Sequence, residues 1–302
     1  TIIKFNFYKK EYKKIKKNLN TIIENEIIYV SDNLGYLYSF NIKTNNLVWA
    51  KNYKVPFRSN LKIEGNNLIA ANQDNYLYFF DKNNGEIVKL VPTEKNEVKN
   101  NFINNLSVSD NYTFFLNTYG SLYSLVNQSL KVNWFVNLNR SIDLNPSNLF
   151  TSNQVINYKN KVIVPSNNYL YVLNNNGSIK YRKNFSSFIK PIIQNDKLFI
   201  VTKNNFLISM ELNNGNIIYS YDLDLKISQF INSKPKNSKF LSLMILNSKV
   251  MLFLENSYYL QLSINGNIEK IAKLPSKINS NPIVVQEQLI FIDKNNKINF
   301  IN

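Results

Sequence analysis

Residues 31–50 read SDNLGYLYSFNIKTNNLVWA, and residues 72–90 read NQDNYLYFFDKNNGEIVKL. Both pass from an apolar strand through a short polar turn into a "Leu-Tyr" strand, then through an Asn-rich turn into a further strand. Repeats are sought before elements, because a missed period would misassign the whole fold. The phrase returns as YGSLYSLVNQSLKVNWFVNL, SNNYLYVLNNNGSIKYRKNF, NNFLISMELNNGNIIYSYDL and ENSYYLQLSINGNIEKIAKL, and the chain closes on DKNNKINFIN. The anchors are Leu37, Leu77, Leu122, Leu170, Leu207, Leu260 and Ile298, which makes seven copies at a period near 40 residues. Twelve positions after Leu37, Leu122 and Leu207 stand Trp49, Trp134 and Tyr219.

A period of this length accommodates four antiparallel strands of ~5–6 residues with turns between them. One such sheet buries little alone, and radial packing of many covers both faces of each. The fold expected is therefore an all-β propeller, one domain over residues 1–302, with seven four-stranded antiparallel blades, or eight if sequence precedes Thr1. The last copy lacks a fourth strand, and TIIKFNFYKK at residues 1–10 alternates like one, so the N-terminal strand is expected to close the ring. Asn84–Gly85, Asn176–Gly177, Asn214–Gly215 and Asn265–Gly266 are expected as two-residue hairpin turns. Pro191 and Pro282 precede apolar runs and suit strand starts, where a missing N–H costs no ladder bond.

Composition agrees. Hydrophobic residues make up 44% and aromatics 14% of 302 residues, with 20 Phe and 19 Tyr, types that favour pleated, half-buried surfaces. Cys and His are both absent, which removes disulfides, thiol nucleophiles, imidazole bases and the commonest metal ligands together. No catalytic, cofactor or metal residues are assigned. The formal net charge of +16 points to an anionic partner, or to the Lys, Asn and Ile bias of an AT-rich coding sequence. No run reaches the ~18 consecutive apolar residues of a membrane helix. A chain that begins at Thr1 without a secretory signal reads as a trimmed or mature segment.

The repeat as it stands in ENEIIYVSDNLGYLYSFNIKTNNLVWAKN, residues 24–52, resembles the PQQ-like propeller repeat. Within that group the chain is most similar to the BamB family of the outer-membrane β-barrel assembly machinery. The resemblance implies a non-catalytic lipoprotein scaffold, periplasmic and associated with the outer membrane. Its implied partners are the POTRA domains of a BamA-like subunit and nascent outer-membrane proteins, with the chain a monomer in a larger complex. The alternatives are a quinoprotein dehydrogenase, which would hold pyrroloquinoline quinone over Ca²⁺, and a generic ligand-binding propeller. The dehydrogenase branch carries tryptophan motifs in most blades and commonly a vicinal Cys pair, whereas this chain has 2 Trp and no Cys.

The resemblance places partner contacts in connectors between blades. NLNRSIDLNPSNLF, residues 137–150, matches such a connector, and Asp143 is carried over on that match. Arg140 and Asn145 are added because polar side chains beside a Pro-stiffened turn are available for contact. Arg58, in KVPFRSNLKI at residues 54–63, could face a partner or brace adjacent blades through backbone carbonyls. The basic run YKKEYKKIKK, residues 8–17, is a solvated connector, a patch for an anionic membrane surface or acidic protein, or a phosphate track with stacking rings. Nucleic acid is the least favoured of these. Asp222 and Asp224 are expected to share one strand face without chemistry, and LNNGN at residues 212–216 is a turn rather than a phosphate loop.

Overall fold

A computed structural model describes residues 8–96, 102–139, 149–166, 168–285, 288–295 and 297–301. They form seven antiparallel sheets whose strands pair in strict sequence order, six with four strands and the last with three. Blades 1 to 7 span residues 19–52, 62–91, 105–137, 156–183, 192–222, 240–273 and 283–301. Meander sheets stacked face to face are the construction of a β-propeller. The expected fold class is the one the chain adopts.

The chain divides into two compact units, residues 1–164 with 172–180, and residues 165–171 with 181–302. In the first unit Tyr29 and Leu37 of blade 1 pack on Leu68, Ala70 and Phe80 of blade 2, with Phe57 and Leu61 of the connector between them. The other face of blade 2 presents Ile69, Leu77 and Phe79 to Leu106, Phe115 and Leu125 of blade 3. In the second unit blade 5 gives Phe199 and Leu207 to Leu252 and Leu260 of blade 6. Met251 and Phe253 on the opposite face of blade 6 meet Leu289 and Phe291 of blade 7.

All seven anchors fall on the third strand of their blade, from Tyr36–Asn41 in blade 1 to Ile298–Ile301 in blade 7. Six are buried, because a third strand has a neighbour on each side and a sheet over its face. Full burial of such a side chain contributes ~1.5–3 kcal/mol. Ile298 departs from the pattern at 62% exposed. Register puts Ile283, Ile290 and Phe300 on one face of blade 7, and Ile283 and Phe300 are exposed there as well.

One expectation lies largely outside the described residues, and two are corrected. The closing strand at residues 1–10 falls largely on 1–7, outside the described residues; Tyr8–Lys10 is not a strand, and Lys10–Tyr12 is a 3-10 turn. The Asn-Gly turns are not two-residue loops. Asp81 pairs with Glu86, and Asn174 with Ser178, so the loops run 82–85 and 175–177. Within them Gly85 and Gly177 alone take positive φ, +74° and +86°, while Asn84 and Asn176 cap the residue after the glycine through Oδ1. Lastly, Asp222 and Asp224 do not share a strand face.

The fifth blade ends at Asp222, and Leu223–Phe230 forms the only α-helix among the described residues. Asp222 is its N-cap, accepting from Leu225 N at 3.0 Å, and Asp224 stands in the first turn, where a carboxylate meets the positive end of the dipole. Leu223 is buried and Ile227 packs on the core shared by blades 5 and 6.

Candidate docking surface

An even number of antiparallel strands returns the chain to the end of the blade from which it set out. Each connector therefore lies at the same end as the loops joining second to third strands. Four of those loops are built on an Asp or Asn side-chain oxygen. Asp32 Oδ1 accepts from Leu34 N and Tyr36 N, both at 2.9 Å. Asn72 Oδ1 accepts from Asp74 N at 3.0 Å and Tyr76 N at 2.9 Å. Asn117 and Asp293 repeat the arrangement. These Asx turns fix the loop from within, leaving its main chain free to hold the connectors.

In the first unit three successive connectors are tied at this end. Asn104 N donates to Arg58 O at 3.1 Å, and Asn104 Nδ2 reaches Asn72 O at 2.7 Å. Asn60 Oδ1 accepts from Leu106 N at 3.3 Å, and Asn105 Nδ2 donates to Ser152 O at 3.3 Å. Glu94, at the start of the second connector, accepts from Ser121 Oγ at 2.6 Å, Asn117 Nδ2 at 2.6 Å and Tyr123 OH at 2.8 Å. Burial alone would push its carboxyl up, but hydrogen bonds from Ser121, its own backbone, Tyr123 and Asn117 outweigh burial and lower it. The buried Asn75 joins the network, donating to Glu94 O at 3.0 Å and accepting from Thr118 Oγ1 at 3.0 Å.

A second device locks blade to blade near the opposite loops. Trp49 Nε1 donates to Lys82 O at 3.0 Å, and Trp134 Nε1 to Asn175 O at 2.6 Å. Tyr219 OH donates to Ile264 O at 3.0 Å, and Tyr181 OH to Leu212 O at 2.8 Å. Each ring lies on the glycine of the next blade's turn; a Cβ on Gly85 would stand 2.8 Å from Trp49, and one on Gly177 2.8 Å from Trp134. In blade 4 the aromatic falls one place before the repeat position, which Arg182 occupies.

Arg58 sits in the first connector, half-buried. Its guanidinium donates to Gln73 Oε1 at 3.2 Å and its Nε has no hydrogen-bond partner. Burial lowers its pKa. The tie to neighbouring elements runs through its main chain, which donates to Ala71 O and accepts from Asn104 N. Arg140, Asp143 and Asn145 lie outside the described residues.

The connectors of the second unit present apolar side chains. Phe188 is 74% exposed, and Leu225, Phe230 and Ile231 of the helical connector are exposed too. A cavity of about 390 Å³ runs along the helix between Asp224, Ile227, Ile231, Lys234, Lys236 and Tyr258. Asp224 holds the connector's return, accepting from Asn205 Nδ2 at 2.8 Å and Ser238 N at 2.9 Å. Among the described residues no three of His, Cys, Asp and Glu gather as a metal-binding group, and no helix is long and apolar enough to cross a membrane.

A family model described as outer membrane protein assembly factor BamB matches residues 14–221. The chain belongs to the BamB family. Among solved structures, BamB from Moraxella catarrhalis superposes with a TM-score of 0.74 at 11% identity, over 93% of this chain and 83% of that one. The computationally designed Ika8 protein follows at 0.70 and 10% identity, covering 94% and 83% of the two chains. The C-terminal WD40 domain of Sif2 gives 0.65 at 11% identity, covering 95% and 83%. No curated protein matches the sequence. At these identities the structural likeness shows the propeller fold shared with BamB. The Asp or Asn that opens four of these turns, at 32, 72, 117 and 293, is visible in the sequence as a recurring polar residue at the end of the second strand.

Proposed function

We propose that the chain is a non-catalytic interaction scaffold of outer-membrane β-barrel assembly, held at the periplasmic side of the outer membrane. Membership of the BamB family over residues 14–221 carries this reading. The connector end supports it, because docking is favoured by a surface ordered before its partner arrives. Asx turns and asparagine ties supply that order in the first unit. The partner would be the POTRA domains of a BamA-like subunit, with nascent outer-membrane proteins handed across. Asp143, with Arg140 and Asn145 beside it, is assigned to the third connector's contact, and Arg58 to the first connector's. Arg58 is half-buried in that connector, where its guanidinium donates to Gln73 Oε1.

The test is capture of the purified chain on immobilised POTRA domains, comparing the wild type with Asp143→Arg. A contact residue is expected to cost more than ~1 kcal/mol on substitution, about a fivefold or greater loss of affinity. Undiminished capture of the variant removes Asp143 from the interface. Failure of the wild type to bind removes the assignment.

A further inference from the structure

We propose that residues 8–19 form a preorganised plate that docks on an anionic phospholipid surface. Three ties hold this run to the connector end of blade 1. Tyr8 OH donates to the buried Asp32 Oδ2 at 2.7 Å, while Asp32 Oδ1 organises the adjoining turn. The rings of Tyr8 and Tyr12 stand edge-on to Tyr36, with centroids at 4.9 and 6.4 Å. Asn18 N donates to Asn33 Oδ1 at 2.8 Å, and Asn33 Nδ2 returns a bond to Lys16 O at 3.3 Å. Lys17 is the one lysine turned inward, donating to Tyr12 O at 2.5 Å and Lys13 O at 3.0 Å and lying 4.8 Å over the Tyr8 ring.

The consequence is a tied main chain that carries Lys9, Lys10, Lys13, Lys14 and Lys16, all exposed. None of the five forms an ion pair among the described residues; the exposed Glu11 is the only acid within the run. A polybasic segment free to wave in solvent would lose backbone entropy on binding, and the main chain of this one is already held.

Two observations select lipid over nucleic acid. Single-stranded nucleic acid needs free rings for its bases to stack upon, and both tyrosines of the run are spent on Tyr36 and Asp32. In their place, Ile15 and Leu19 are 45% and 51% exposed beside the lysines. Apolar groups flanked by cations suit the boundary between headgroups and acyl chains. A phosphate backbone gives such groups nothing.

The experiment is co-sedimentation with phosphatidylcholine vesicles, with and without one-third phosphatidylglycerol. The wild type is expected to sediment with the anionic vesicles at low salt, to be released at high salt, and to ignore pure phosphatidylcholine. Each lysine near a charged surface contributes about a fivefold gain in partitioning. Lys13→Gln with Lys14→Gln should therefore lose roughly twenty-five-fold, and all five changed to Gln on the order of a thousandfold. Ile15→Ser should weaken binding several-fold with the salt dependence intact. The lysines form no ion pair among the described residues, so the variants should melt no lower than the wild type, and the pair keeps the test open if the quintuple variant does not fold. No sedimentation with anionic vesicles at low salt overturns the proposal, and so does wild-type sedimentation of the quintuple variant. Tighter binding to a single-stranded oligonucleotide than to the vesicles overturns it in favour of nucleic acid. No partner protein enters these assays, so their outcome is separable from that of the scaffold reading.

Discussion

A single pair, Trp49 and Gly85, shows how a residue of one blade constrains its neighbour. The indole covers the glycine and donates to Lys82 O, so turn and ring each need the other. Gly85 holds φ at +74°, a region that costs an L-residue ~1–2 kcal/mol, and an added Cβ would stand 2.8 Å from the ring. Gly85→Ala is therefore expected to cost about 2–4 kcal/mol, strain and displacement together. Trp49→Phe keeps an aromatic over the turn and loses one hydrogen bond, about 1 kcal/mol. Urea denaturation of the two variants checks the order. A Gly85→Ala protein as stable as wild type would mean that the Trp49 ring does not confine the turn.

Elements show where sequence suffices and where it does not. Strand identity and order were legible, because the alternation around Leu37, Leu122 and Leu207 matches a half-buried pleat and the Trp or Tyr twelve places on marks the outer strand. The helix at Leu223–Phe230 was not, since "YDLDLK" alternates with period two and so imitates the strand before it. The turn lengths are hidden for a related reason. Asn-Gly names the glycine's conformation, but the loop length depends on which residues pair, and that is a property of the bulged ladder. Of the site residues, Arg58 lies in the first connector, which the Pro-containing run 54–63 marks in the sequence, whereas the Asn60, Asn104 and Asn105 ties depend on contacts 46, 32 and 47 residues apart. Glu94 is the element-scale test. Its carboxylate joins the second connector to the third strand of blade 3, and its pKa is lowered in the fold. A depressed folded value gives stability that is full above the unfolded pKa and lost as pH falls through the folded one. Hydrogen bonds to a charged group are worth ~1.5–3 kcal/mol, so Glu94→Gln should lower stability by about 2 kcal/mol at neutral pH. The gap between variant and wild type should close on acidification below the carboxylate range, measured as melting temperature against pH. A gap independent of pH would assign the loss to packing.

At the scale of the whole molecule, charge is the dominant feature. The chain carries 36 Lys and Arg against 20 Asp and Glu. Described ion pairs such as Lys43–Glu26 and Lys249–Glu269 are solvent-accessible, and such pairs contribute ~0–1 kcal/mol each. Most of the excess cation charge therefore acts as self-repulsion, which opposes the compact state. Raising ionic strength shortens the screening length from ~30 Å at 0.01 M to ~8 Å at 0.15 M. Screening weakens the few favourable pairs as well, but at a net charge of +16 the repulsive sum is the larger. The melting temperature should therefore rise by several degrees over that range, followed by circular dichroism in dilute buffer. Vesicle binding through the lysine plate should move the other way, falling as salt rises, because there the same cations meet opposite charge. Opposite slopes from one protein would separate charge that merely burdens the fold from charge that has a partner. A melting temperature that falls with added salt would show instead that the ion pairs, and not the surplus, govern the electrostatics of this propeller.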